Sequence, residues 1–369
     1  MVLFGGLAVC DTPLFATQLV GSWVKPSWLC NHELVYGPEG SWWKLPAADL
    51  PAALDDAVEV ALADQGRAGL TYQTDGEQRR QSFSGYFYQI DGIDSEQMGV
   101  VTNFDNDIGD SIKLKSPAPP PDAPKPTFEQ PRVVSELSWP GPMLEEATQF
   151  LKERATGQTK VTMIGPCTLA LRLVDEKYGS LQELTLALAD VINEELRSID
   201  ALGVDLIQID EPEVHFRYSQ VSGFAAEAIE RALAGLSART AIHMCYGYAR
   251  SKAEKSANPV YGKALQLLAG TSVDDISLEY AQPGHVPDLL ANAGDKTVVL
   301  GVLNLHPDAP VETPEDIVTL AEGALSVVAP ERLRLAPDCG MWFLPRAKAV
   351  AKIKAMEAAA RILRARYSP

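Results

Sequence analysis

From about residue 143 to the C-terminus, short apolar runs alternate with stretches of helical periodicity, and nearly every run ends in a polar side chain. The runs lie at 160–166, 205–212, 239–247, 275–280, 296–304 and 333–340. Helices are expected at about 143–156, 181–202, 221–237, 259–269, 314–328 and 346–365, with a short one at 285–292. Two earlier runs, 17–23 and 70–77, flank a helical stretch at 51–64 and bring the strands to eight. Strands alternating with helices at this spacing imply parallel pairing through right-handed crossovers. Eight such units predict a closed (β/α)8 TIM barrel formed as a single domain over 1–369. An open doubly wound sheet is the alternative, but no GxGxxG follows the first strand.

Residues 83–135 break this rhythm. Phe83, Tyr86, Phe87 and Tyr88 could cover an apolar surface, and Ser116-Pro117-Ala118-Pro119-Pro120-Pro121 leads to further prolines at 124, 126 and 131. Proline at that density argues against a central strand or a regular helix. The segment reads as an insertion or long excursion lying across one end of the barrel.

Within 369 residues, a net charge of −17 argues against nucleic acid and anionic membranes as principal partners. The five cysteines, at 10, 30, 167, 245 and 339, are odd in number and widely spaced, which fits a reducing compartment better than a disulfide framework. The apolar start 1–10 has no basic n-region and is soon interrupted by Asp11, and no stretch approaches transmembrane length. A cytoplasmic enzyme is expected, and apolar positions on its helices would permit an oligomer.

Ligands of a barrel gather at the C-terminal ends of its strands. Those ends carry Ser22, Asp75 and Glu77, Asp210 and Glu211, His243 and Cys245, Glu279, Asn304 and His306, and Asp338 and Cys339. Strand side chains alternate faces, so His243 and Cys245 point the same way. An imidazole and a thiol on one face make half of a zinc site, and Glu279 with Cys339 would complete it. Two thiolates suit a zinc ion that activates a thiol substrate, although activation of water is equally compatible. His306 is a candidate general acid because imidazole titrates near neutral pH. Asp210 is expected in the substrate pocket, with its neighbour Glu211 bonded to a loop or helix terminus. Asp75 and Glu77 share a face, and Arg79 and Arg80 would either hold an acidic substrate group or neutralise those carboxylates. Among Trp23, Trp28, Trp42 and Trp43, Trp23 is the one expected to line the pocket.

These residues resemble the cobalamin-independent methionine synthase family, in its C-terminal catalytic barrel and single-barrel relatives. The matching pieces are Val20-Gly21-Ser22, Thr74-Asp75-Gly76-Glu77-Gln78-Arg79-Arg80, Gly165-Pro166 with Thr168-Leu169, and Ile207-Gln208-Ile209-Asp210-Glu211-Pro212. They continue through His243-Met244-Cys245-Tyr246, Ile276-Ser277-Leu278-Glu279, Leu300-Gly301-Val302 with His306, and Pro337-Asp338-Cys339-Gly340-Met341. The resemblance implies a zinc enzyme that moves a methyl or alkyl group onto a thiol, with His243, Cys245, Glu279 and Cys339 as metal ligands. It implies His306 as the acid, Asp210 and Glu77 on the amino group of a homocysteine-like acceptor, and Ser22 on its carboxylate. The family's usual Asp-x-His-Ser reads Asn304-Leu305-His306-Pro307 here, so one carboxylate beside the histidine is missing.

The expected activity is zinc-dependent methyl transfer to homocysteine giving methionine, from a small-molecule alkyl donor, a folate or a corrinoid protein. The alternative resembles the epoxyalkane:coenzyme M transferases, in which a zinc thiolate opens an epoxide. A sulfonate-bearing thiol would need a fixed cation, for which Lys25, Arg79, Arg80 and Arg346 are the candidates. Barrel decarboxylation or hydrolysis, and a non-enzymatic binding role, are the readings from other classes. Negligible metal content would favour either over thiol transfer.

Overall fold

The computed structural model describes residues 12–32, 42–101, 128–246, 255 and 258–368. The apolar start at 1–10, with Cys10, and the proline run at 116–126 lie outside these residues. Helix α1 (Leu50–Ala68) ends on Gly69, whose φ of 85° supplies the left-handed cap. It leads to β1 (Tyr72–Gln73). Strands β2 (Asp91–Val101) and β3 (Phe128–Ser138) follow, then α2 (Glu145–Arg154), β4 (Gln158–Ile164), α3 (Pro166–Ala170) and β5 (Val174–Asp175). Helix α4 (Leu181–Ala201) starts on Ser180, whose hydroxyl accepts from the Glu183 N–H. Strand β6 (Leu206–Asp210) precedes the short helices α5 (Glu213–Phe216) and α6 (Tyr218–Val221), and α7 (Ala225–Leu233) precedes β7 (Arg239–Met244). After α8 (Tyr261–Ala269) come β8 (Asp275–Leu278), β9 (Thr297–Leu303), α9 (Pro314–Ala324), β10 (Leu333–Pro337) and α10 (Arg346–Tyr367). A reciprocal Thr313–Asp316 capping box opens α9.

Seven strands form one parallel sheet in the order β1-β4-β6-β7-β8-β9-β10. Strands β6, β8, β9 and β10 are buried along their whole length, as parallel strands covered on both faces must be. At the N-terminal ends of the strands, Asp275 is gripped by Arg239 at 2.6 Å and Arg334 at 2.7 Å.

The closed eight-stranded barrel expected from the sequence is not formed. The sheet is an open, curled half-barrel whose edges stand 10 Å apart. The segment expected as the first strand, 17–23, forms only one bridge, between Thr17 and Leu335. Gln18 N–H donates to the Leu335 carbonyl, and Tyr72 N–H donates to the Thr17 carbonyl. Beyond that point the carbonyls of Leu19, Val20 and Gly21 accept from side chains: Lys160 Nζ, Gln208 Nε2 and Thr74 Oγ1. A strand needs its backbone groups paired with a neighbour's backbone; here interior side chains satisfy them instead.

A second expectation is also corrected. Strand β3, which contains Pro131, is the middle strand of a separate sheet ordered β2-β3-β5. The ladder with β2 shifts register between the Asp94–Arg132 and Gly99–Gln130 pairs, and pairing with β5 begins at Arg132. Pro131 therefore falls where neither neighbour requires its missing N–H.

Candidate metal centre and substrate pocket

The exits of β7 and β10 bring His243, Cys245 and Cys339 together, with their ligand atoms all within 4.8 Å of one another. This cluster can hold a metal ion. His243 is opposite Ser277 in the β7–β8 register, and its Nδ1 lies 3.0 Å from the Ser277 hydroxyl. Its Nε2 is buried and has no hydrogen-bond partner. A buried imidazole nitrogen without a partner is costly, and one fixed through Nδ1 is oriented as metal-bound histidines are. One nitrogen and two sulfurs are a donor set that fits zinc. Burial pulls the His243 pKa down, but the Cys245 sulfur beside it leaves it above the ordinary value. The Cys339 thiol is pushed well up by its hydrogen bond with Cys245, and then by burial. Two thiols this close cannot both ionise cheaply without a cation between them.

Glu279 lies close by but is otherwise engaged. Its Oε1 accepts the Tyr246 N–H at 2.8 Å, and its Oε2 accepts from Lys255 Nζ at 2.6 Å. Burial pushes its pKa up to about 8 against the pull of Lys255. Asp338, beside Cys339, accepts the backbone N–H groups of Tyr280, Ala281 and Gln282 and so ties the β10 exit to the loop after β8.

The second half of the site lies on the other side of β7, along β1, β4 and β6. Glu77 has a φ of 56°, and its N–H donates to Asp75 Oδ1 at 2.9 Å. Its Oε1 accepts from Thr162 Oγ1 at 2.8 Å and lies 3.5 Å from Arg80 Nη1. Arg80 also donates to the Thr162 carbonyl at 2.5 Å. A Cβ at Gly21 would stand 2.3 Å from Glu77 Oε1, so only glycine lets that carboxylate rest against the chain. Asp210 is buried at the end of β6 and accepts from Gln208 Nε2 at 2.7 Å. Burial lifts its pKa to about 7; the His243 charge opposes this shift and the Glu77 charge adds to it. Glu211 turns away, as expected, and accepts from the Cys167 and Thr168 N–H groups and the Thr168 hydroxyl.

Two of the expected site residues, Arg79 and Trp23, turn to α1. Arg79 pairs with Asp55 on α1 and stacks 4.7 Å over Phe150. The Trp23 indole N–H donates to Asp64 on α1 at 3.2 Å. Ser22 is buried, and its carbonyl accepts the Met341 N–H. His306 is 53% exposed, and its Nδ1 accepts the Asp308 N–H at 3.2 Å. Sequence reasoning missed three residues that position the site: Thr162, Ser277 and Lys255. The first two were legible as polar residues within apolar strands. Lys255 belongs to no strand and carried no signal.

The profile of the family described as "Cobalamin-independent synthase, Catalytic domain" matches residues 15–362. A methionine synthase from Sulfurisphaera tokodaii is 29% identical over 356 residues, covering 96% of this chain and 94% of that protein. One from Saccharolobus islandicus is 30% identical over 356 residues, covering 95% and 96%. Among solved structures, a B12-independent methionine synthase from Shewanella sp. W3-18-1, in complex with selenomethionine, aligns with a TM-score of 0.82 at 29% identity, covering 96% of this chain and 98% of that one.

Proposed function

This chain belongs to the family of cobalamin-independent synthase catalytic domains, and from that premise we propose that it is a zinc-dependent homocysteine methyltransferase that forms methionine. The observation that carries the reading is the convergence of His243, Cys245 and Cys339 from two separated strand exits. A zinc ion held there supplies a Lewis acid that keeps the substrate sulfur ionised and nucleophilic at neutral pH.

The rest of the work falls to the protein's own side chains. Asp210 and Glu77 receive the acceptor's ammonium group. Both are buried, and a cation between them offsets the burial, and then the repulsion from Glu77, that raise the Asp210 pKa. Thr162 and Arg80 hold the Glu77 carboxylate in place, and Ser22 contacts the acceptor's carboxylate. His306 protonates the atom that loses the methyl group. Because its Nδ1 accepts the Asp308 N–H, the neutral ring carries its proton on Nε2. Two thiol ligands require a reducing compartment, consistent with a cytoplasmic setting. Among the described residues, no helix is long and apolar enough to cross a membrane.

A sulfonate-bearing acceptor is disfavoured because all four candidate cations are already engaged. Lys25 donates to the Glu77 and Gln78 carbonyls, Arg79 pairs with Asp55, Arg80 holds Thr162 and Glu77, and Arg346 pairs with Asp64. The test is X-ray absorption at the zinc edge of the loaded protein with homocysteine or coenzyme M. Homocysteine is expected to add a third sulfur to the shell, and Asp210→Asn is expected to weaken that addition about tenfold or more. A shell unchanged by homocysteine would count decisively against thiol transfer.

A further inference from the structure

We propose that the Tyr86 hydroxyl takes the third N–H of the substrate's ammonium group and so makes the pocket select amino acids. The inference rests on the reading above that Asp210 and Glu77 receive that group. An ammonium carries three N–H donors, and two carboxylates leave one of them without an assigned partner. Tyr86 lies in the short helical turn Gly85–Gln89, after β1. Its neighbour Tyr88 finds a partner within that segment, 2.8 Å away at the Ser84 hydroxyl. The Tyr86 hydroxyl is buried and has no hydrogen-bond partner. A buried hydroxyl left unpaired is costly, which calls for an occupant that can bond to it.

The surroundings of the ring put it beside the two carboxylates. The Arg80 guanidinium lies 4.8 Å from the centre of the Tyr86 ring. The same guanidinium is 3.5 Å from Glu77 and is bonded to Thr162. The ring of the fully buried Phe87 packs 4.1 Å from that of Tyr86. Burial raises the phenol's pKa; Arg80 opposes the rise, and the charges of Glu77, Asp210 and Asp75 add to it. The group therefore stays a neutral hydroxyl, and it offers lone pairs to a cation without placing a further negative charge beside the carboxylates. An ordered water would pair the hydroxyl but bring no charge to set against Asp210. An ammonium group does both.

Tyr86→Phe removes the hydroxyl and keeps the ring over Arg80. Wild type and variant, both confirmed folded by circular dichroism, are titrated calorimetrically with methionine and with its des-amino analogue, which keeps the thioether and the carboxylate. Homocysteine and its des-amino analogue form a second pair, read on the zinc-loaded protein by the sulfur they add to the metal shell. The wild type is expected to prefer each amino acid over its analogue about a hundredfold or more. Tyr86→Phe should weaken methionine and homocysteine about tenfold, the scale of a lost hydrogen bond to a charged group, and leave the analogues unchanged. An equal loss for both members of a pair makes the hydroxyl structural and overturns the proposal. No loss for either, the result of an ordered water alone, overturns it too, as does a wild type that binds methionine no better than its analogue. Homocysteine that adds no sulfur to the wild-type shell defeats the thiol-transfer reading, while the methionine pair still decides the role of Tyr86.

Discussion

Lys25 is fully buried, and its ammonium group donates to the carbonyls of Glu77 and Gln78 at 2.5 and 2.8 Å. It lies 5.0 Å from the Trp342 ring and 5.7 Å from Trp42 and Trp43. Its place is behind the turn that presents Glu77, where it braces a residue with left-handed backbone. Burial lowers its pKa from 10.5 to about 7. The folded-state value is thus below the unfolded one. Between pH 7 and 10.5 the unfolded chain keeps a proton that the folded chain has released, so stability rises with pH, at up to about 1.4 kcal/mol per unit. Below pH 7 this dependence disappears. Lys25→Met should therefore flatten the rise in unfolding free energy between pH 7.5 and 9.5, read from urea midpoints. Lys160, also lowered to about 7, supplies the residual slope. Equal slopes in variant and wild type would contradict this account. The alternation that marked His243 and Cys245 was visible in the sequence because strand geometry is local. The bracing by Lys25 was not visible, since it depends on where three tryptophans meet.

The seams between elements decide whether the site assembles. Strand β9 passes directly beneath Asp338, and a Cβ at Gly301 would lie 2.2 Å from Asp338 Oδ1 and 2.8 Å from the Leu278 carbonyl. Asp338 bonds three consecutive N–H groups after β8, and Cys339 follows it in sequence. Gly301→Ala should destabilise the chain by about 1–3 kcal/mol through overpacking. It should also lower zinc content by displacing Cys339, with the two losses measured by denaturant unfolding and metal analysis. Full zinc content in the variant would show that Asp338 does not set the position of Cys339. At this scale the expected β4 and β6–β10 were all found, within a few residues of their predicted ends. The expected helices over the same stretch were also found, because their periodicity is intrinsic to each segment. The run at 17–23 read as a strand for the same local reason. It failed to become one because Lys160, Gln208 and Thr74 supply the donors for its carbonyls.

For the whole molecule, the metal is expected to join distant parts of an open sheet. His243 and Cys245 stand at the exit of β7 and Cys339 at that of β10, with β8 and β9 between them. A bound ion therefore cross-links half of the sheet and should stabilise it by mass action, by about 4 kcal/mol when free zinc exceeds its dissociation constant a thousandfold. Chelation under reducing conditions should lower Tm by several degrees and zinc readdition should restore it. A Cys339→Ser variant should lose most of this response. A Tm independent of zinc in the wild-type chain would argue against a metal at this cluster. The sequence alone determined the order of the main-sheet strands and their helices after residue 143, the polar residues at the strand exits and the His-x-Cys pair, because each is set by neighbours a few positions apart. Only the tertiary structure decided that the sheet stays open, that Lys255 pairs with Glu279, and that Arg79 and Trp23 face α1. Those outcomes depend on which buried charges and backbone groups find partners far along the chain, and pairing across such distances leaves no local periodicity to read.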